Sequence, residues 1–166
     1  PDNRARLIRA GVIEPIVVGA RSPEVEIQRE VAALLCNLSL SEPDRLELAT
    51  FCVPALVDLA KSKDVEVARQ SVGALANLSE DTKTHPVIGT SGGGRVMISL
   101  MKHDAIDIFR EASRTIANLL SSFEHQATVI EEGLGGLIAL GLSPDPECQY
   151  HAAMSFRKLG PNLRAH

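Results

Sequence analysis

Residues 65–79 read VEVARQSVGALANLS, and this phrase decides the fold because it recurs. Residues 25–39 read VEIQREVAALLCNLS, and residues 106–120 read IDIFREASRTIANLL. A fainter copy, PECQYHAAMSFRKLG, occupies residues 146–160. The anchor residues Asn37, Asn77, Asn118 and Lys158 lie 40, 41 and 40 residues apart. A fixed period of that size predicts a stack of supersecondary units in place of one closed core.

Within each copy the apolar residues recur with a helical period. Ten residues before the anchor stand Ile27, Val67, Ile108 and Cys148; six before it stand Val31, Ser71, Ala112 and Ala152. Two before it are Leu35, Leu75, Ile116 and Phe156, and one after it are Leu38, Leu78, Leu119 and Leu159. Steps of three and four place these residues on one helix face, which is expected to pack inward. A second apolar pair repeats 21 residues before each anchor: Ile16-Val17, Leu56-Val57, Met97-Ile98 and Leu137-Ile138. Ala32, Ala33, Gly73 and Ala74 are small enough to let helices approach closely. One unit cannot bury such a stripe alone, so neighbouring units are expected to bury each other's.

Turn residues divide each unit into three helical pieces. The first unit is predicted to have helices over 3–10 and 14–20, separated at Gly11, and a long helix that starts at Pro23 and runs to about residue 38. The second unit is predicted over 43–51, 54–61 and 65–78, the third over 83–88, 95–102 and 106–120. The glycine-rich stretch 89–94 has no Gly-Lys-Ser/Thr after it and no strand before it, so it reads as a loose turn and not a phosphate loop. The fourth unit is predicted over 123–132, 134–141 and 147–159, stopped by Gly160-Pro161. The expected fold is all-α: one solenoid domain over 1–166 with units at about 1–40, 41–80, 81–121 and 122–161.

Composition narrows the function classes. Apolar residues make up 45% and charged residues 23%, enough for a core, while 3% aromatics and no Trp make that core aliphatic. A net charge of −4 argues against a nucleic-acid binder. The three cysteines, Cys36, Cys52 and Cys148, form no CxxC pair, which favours a reducing compartment, the cytoplasm or the nucleus. No apolar run reaches membrane-spanning length and no signal pattern opens the sequence. The opening PDNRARLIRAG reads as mid-repeat helix, so further repeats of a longer chain are expected at one or both ends. His85, His103, His125, His151 and His166 have no metal-ligand spacing and read as surface or helix-end residues. Neither a cofactor, a metal site nor an enzymatic activity is expected.

The order short helix, turn, apolar helix, then E-V, A-L and N-L at fixed spacing resembles the armadillo repeat. Three units match well and the fourth less so. The resemblance implies a right-handed superhelix of three-helix units whose third helices line a concave groove holding an extended peptide. It further implies that Asn37, Asn77 and Asn118 pair with the peptide backbone, for which an amide offers both donor and acceptor. Lys158 breaks that ladder. The other reading of each Asn is that it braces neighbouring backbone. Importin α carries a Trp four residues before the Asn, where this sequence has Ala33, Gly73, Arg114 and Met154. A nuclear-import signal is therefore not the expected ligand, and the resemblance lies closer to β-catenin-like or vacuole-anchored armadillo adaptors.

A second row stands eight residues before the anchors: Arg29, Arg69 and Arg110, with Tyr150 in the fourth unit. Arg114 and Lys158 lie on the same broad face and extend it to a basic stripe suited to acidic or phosphorylated peptide segments. The alternative is that the row forms salt bridges with Glu26, Glu66, Asp107 and Glu147, eleven residues before the anchors. Asn37-Leu38-Ser39 and Asn77-Leu78-Ser79 match the N-glycosylation pattern, which reads as coincidence within helix ends. The leading expectation is an adaptor that binds an extended, acidic peptide segment. Two others stay open: a structural spacer in a longer solenoid, motivated by Leu7, Ile8, Val12, Met154 and Phe156 at the two ends, and a targeting module of a multidomain enzyme such as a ubiquitin ligase.

Overall fold

A computed structural model describes residues 3–160, the side chain of Phe123 excepted. The helices are α1 (Asn3–Arg9), α2 (Ile13–Ala20), α3 (Val25–Leu38), α4 (Arg45–Leu59), α5 (Val65–Leu78), α6 (His85–Thr90), α7 (Gly93–Leu100), α8 (Ile106–Leu119), α9 (Phe123–Thr128), α10 (Leu134–Gly141) and α11 (Pro146–Leu159). Single 3-10 turns, Glu42–Asp44 and Thr82–Thr84, lead into α4 and α6. The third helices of the four units stack in sequence, α3 on α5, α5 on α8 and α8 on α11, while the remaining helices form the outer layer.

The predicted apolar stripe forms the core. Val67, Ile108 and Cys148, and likewise Leu35, Leu75 and Ile116, are fully buried. Leu38, Leu78, Leu119 and Leu159 are buried in all four units. At the two ends the stripe is open: Ile27 is 45% exposed and Phe156 38%, because no described unit packs on those faces. At the contact of α5 with α3, a Cβ on Gly73 would stand 3.4 Å from Cys36 Sγ, an ordinary van der Waals distance, so an alanine would fit there.

Three connections differ from the sequence expectation. The second unit has no break between 51 and 54: α4 runs straight through Pro54. Gly11 and Gly92 take positive φ, 86° and 76°, and turn the chain between the first and second helices of their units. Phe51-Cys52-Val53 offer no residue that takes this conformation cheaply, so the helix continues despite the hydrogen bond that Pro54 forfeits. The glycine stretch of the third unit is a tight turn, not a loose one. Gly93 is buried under Ile88, whose Cγ2 and carbonyl O would lie 2.7 and 2.9 Å from any added Cβ. In the fourth unit a π turn, Val129–Gly133, joins α9 to α10 without a left-handed residue.

Candidate functional site

The starts of the long helices organise the site. Asp64 caps α5 by accepting from Val67 N, and Asp145 caps α11 by accepting from Glu147 N. Each cap also receives an arginine from the preceding unit. Arg29 donates through Nε and a terminal nitrogen to the two Asp64 oxygens, at 3.2 and 2.6 Å. Arg110 donates to Asp145 and lies 3.5 Å from Glu147 and 3.8 Å from Asp107. The Arg29 hydrogen bond, aided by the Val67 N–H, draws the Asp64 carboxyl down to about 2. At Asp145 burial pushes upward, yet the Arg110 hydrogen bond and the N–H groups of Glu147 and Cys148 together hold the carboxyl below its usual value.

The middle rung of this ladder is missing. Where α5 has Asp64 and α11 has Asp145, α8 has Ala105, which makes no side-chain cap. Arg69 therefore makes no ion pair across the unit boundary among the described residues, although Asp107 of the next unit lies close enough to act on it electrostatically, and turns onto Glu66 of its own helix, at 2.9 and 2.6 Å. Gln70 donates to the same Glu66 at 2.9 Å. Both Arg69 and Glu66 side chains are more than two-fifths exposed. The arginine row thus forms ion pairs within the protein, through helix caps for Arg29 and Arg110 and through acids eleven residues before an anchor for Arg69 and, at longer distance, Arg110.

The anchor row divides in the same way. Asn77 Nδ2 donates to Ser39 Oγ at 3.0 Å, and Ser39 Oγ in turn donates to Cys36 O at 2.7 Å. Asn118 Nδ2 donates to Ser79 Oγ at 3.0 Å, and Ser79 Oγ donates to Ala76 O at 2.7 Å. In the fourth unit Lys158 takes the place of the Asn and donates to Ser121 Oγ at 2.8 Å and to Ala117 O. The Asn-Leu-Ser phrase is accordingly a clip, the anchors Asn77, Asn118 and Lys158 each fastening to a serine of the preceding unit. The carbonyl of Asn77 is also taken, accepting from Arg114 at 2.9 Å. Arg114 further donates to Glu111 and Glu80, both at 2.8 Å, and Glu80 pairs with the buried Arg45 at 2.7 Å. Asn77 and Arg114 are therefore committed to the framework. The side chain of Asn37 is exposed with no hydrogen bond among the described residues, and the side-chain oxygen of Asn118 likewise has none.

Two depressions run across this face. One, about 340 Å³, is lined by Cys36, Arg69, Gly73, Asp107, Arg110 and Glu147. The next, about 460 Å³, is lined by Arg110, Glu111, Arg114, Glu147, Tyr150 and His151. Their charges alternate in sign, so the face is a mosaic in place of a basic stripe. The Nδ1 atom of His151 is buried there without a hydrogen-bond partner among the described residues, and burial, then Arg114, pushes this imidazole below its usual value.

His85 opens α6, as a helix-end residue, but neither it nor His125 lies on the surface. His85 is 1% exposed and bridges two units, with Nε2 2.8 Å from Ser79 O and Nδ1 2.6 Å from Ser122 Oγ. His125 is buried beside it, with Nε2 3.2 Å from His85 O. Arg45, His85 and Gln126 each reach the carbonyl six residues back, Ser39, Ser79 and Leu120. That fixed spacing was visible in the sequence once the units were aligned.

The comparisons with known proteins agree with this geometry. Residues 1–40 and 45–80 match the armadillo/β-catenin-like repeat family. An engineered protein of known structure superposes with a TM-score of 0.89 and 26% identity over 97% of this chain and 68% of its own. A designed armadillo repeat protein in complex with the peptide (KR)4 superposes with a TM-score of 0.83 at 21% identity, over 95% of this chain and 73% of its own. The first two units thus match armadillo repeats, and the described residues have the all-α solenoid fold of these structures. Among curated proteins it is similar to two from Arabidopsis thaliana: U-box domain-containing protein 42, 25% identical over 76% of this chain, and U-box domain-containing protein 46, 28% identical over 66%. The chain spans only 13% and 24% of those two proteins.

Proposed function

We propose that the chain is a protein-interaction module that holds an extended peptide segment across α3, α5, α8 and α11, with an acidic side chain of the peptide seated at Arg69. The observation that carries this is the gap in the arginine–cap ladder at Ala105. Arg29 and Arg110 are matched by Asp64 and Asp145, whereas the Arg69 guanidinium pairs only with the half-exposed Glu66 of its own helix, with Asp107 acting at longer range. A carboxylate or phosphate entering beside Ala105 would give Arg69 the cross-unit partner its neighbours already have. Asn37 and the Asn118 carbonyl remain available for peptide backbone groups on either side, whereas Asn77 does not.

The test is calorimetric titration with peptides selected on the chain from a random phage-displayed library. Acidic peptides should be enriched, Arg69→Glu should abolish their binding, and Arg95→Ala on the outer layer should leave it unchanged. A folded Arg69→Glu variant that binds as well as the parent refutes the proposal.

A second reading concerns the longer protein. The U-box proteins among its relatives favour a role for this segment as the targeting arm of a ubiquitin ligase. The full-length protein should then transfer ubiquitin in the presence of a ubiquitin-conjugating enzyme; no transfer would rule that reading out.

A further inference from the structure

A different surface of the molecule carries a second inference. On the outer layer, away from the arginine row, lies an apolar groove of about 460 Å³. One wall is formed by Ile8, Ile13, Val17 and Val18 and the other by Phe51, with Glu14 and Glu47 at the rim. The unbroken α4 accounts for it. In the first unit the Gly11 turn folds α1 back, and α1 packs on α3 and the 3-10 turn at Glu42–Asp44 while α2 packs on α4. Lacking such a turn, α4 runs straight on, and its first half leaves a gap beside α2 that no described side chain fills.

The contents of the groove point to its occupant. Val18 is 68% exposed and Phe51 56%, two large apolar side chains open to solvent on either side of the groove. Glu14 and Glu47 make no ion pair among the described residues, unlike Asp64, Glu66, Glu111 and Asp145 of the long-helix face. Two unneutralised carboxylates flanking an apolar slot complement a ligand with an apolar anchor and cationic flanks. An amphipathic helix offers that combination, with anchors at steps of three and four and basic residues on either side of them. We propose that this groove docks a short basic amphipathic helix of a partner protein, its leucine or phenylalanine anchor between Val17 and Phe51 and its Lys or Arg residues against Glu14 and Glu47. This site is independent of the peptide face proposed above.

The probe is a synthetic helical peptide with leucines on one face and lysines on the other, with a second peptide carrying glutamates in place of the lysines. Titration is followed by NMR of the methyl groups and by analytical ultracentrifugation. The lysine peptide should bind with shifts confined to Ile13, Val17 and Val18, and the glutamate peptide should not bind. Phe51→Ser should weaken binding by about tenfold or more, as loss of a central anchor does. The pair Glu14→Lys and Glu47→Lys should do the same while Arg69→Glu has no effect. Shifts centred on Arg69 and Gly73, equal binding by the Phe51→Ser chain, or no binding would each overturn the proposal. So would a concentration-dependent dimer abolished by Phe51→Ser, which would make a second copy of this chain the occupant.

Discussion

Asn77→Ala and Asn37→Ala change the same repeat position but should have very different consequences. Asn77 is 8% exposed and makes two hydrogen bonds through its side chain, one to Ser39 and one from Arg114. Loss of the neutral bond costs about 1 kcal/mol. A bond to a charged donor is worth about 1.5–3 kcal/mol. Here it belongs at or below the lower end, because Arg114 keeps Glu80 and Glu111 and its side chain is 26% exposed. The sum is about 2–3 kcal/mol, which for a chain of this size corresponds to a fall in melting temperature of about 5–10 °C. Asn37 is exposed and unbonded, so its replacement should stay within about 0.5 kcal/mol of the parent. Thermal unfolding followed by circular dichroism measures both. A double-mutant cycle of Asn77→Ala with Ser39→Ala should show a coupling of about 1 kcal/mol. Equal melting temperatures for the two single variants would refute the clip.

Ala105→Asp installs the missing cap and should stabilise the chain by about 0.5–1.5 kcal/mol in urea denaturation, while weakening acidic-peptide binding by occupying Arg69. Gly93→Ala should destabilise by about 1–3 kcal/mol because its Cβ would collide with Ile88. Gly94→Ala, in the same helix with open space around it, should stabilise by about 0.5–1 kcal/mol. Burial holds the His85 imidazole below its ordinary value of 6.5, with the Ser79 carbonyl opposing and His125 and Lys158 reinforcing the shift. A depressed histidine favours the neutral form in the folded chain, so its stability contribution is complete above the unfolded value and fades as pH falls below it. The urea midpoint should drop between about pH 7.5 and pH 5.5, and a His85→Gln variant should flatten that drop; an unchanged slope would count against it.

The long helices were legible because their pattern is local: Leu75 and Leu78 lie three apart, and each repeats at the unit period. The outer layer was harder to read because its turns depend on single residues. Gly11 and Gly92 were correct signals, but Pro54, a common helix starter, suggested a break that its neighbours Cys52 and Val53 cannot make. The arginine row was legible as a row, while its partners were not. Asp64 and Asp145 lie 35 residues beyond Arg29 and Arg110, a distance that becomes a contact only after stacking. His85 was misread because burial of a polar ring depends on Ser79 and Ser122, which the turn sequence brings to it from two units.

Regularity and irregularity therefore carry different information in this chain. Where a column of the repeat is constant, its side chains fasten units together: the leucines by packing, the Asn and Ser residues by hydrogen bonds, the cap aspartates by accepting arginine. A group is freed for a ligand where a column breaks and the neighbouring unit no longer supplies a partner. Ala105 breaks the cap column and frees Arg69. The fused α4 breaks the glycine column and leaves Phe51 beside Val18. Arg114 shows the reverse, since its extra charge in the column that holds Ala33 and Gly73 ties down Asn77. A search for ligand contacts in such a solenoid should start at these interruptions, because in the unbroken anchor and cap columns the repeat has used its hydrogen-bonding groups on itself.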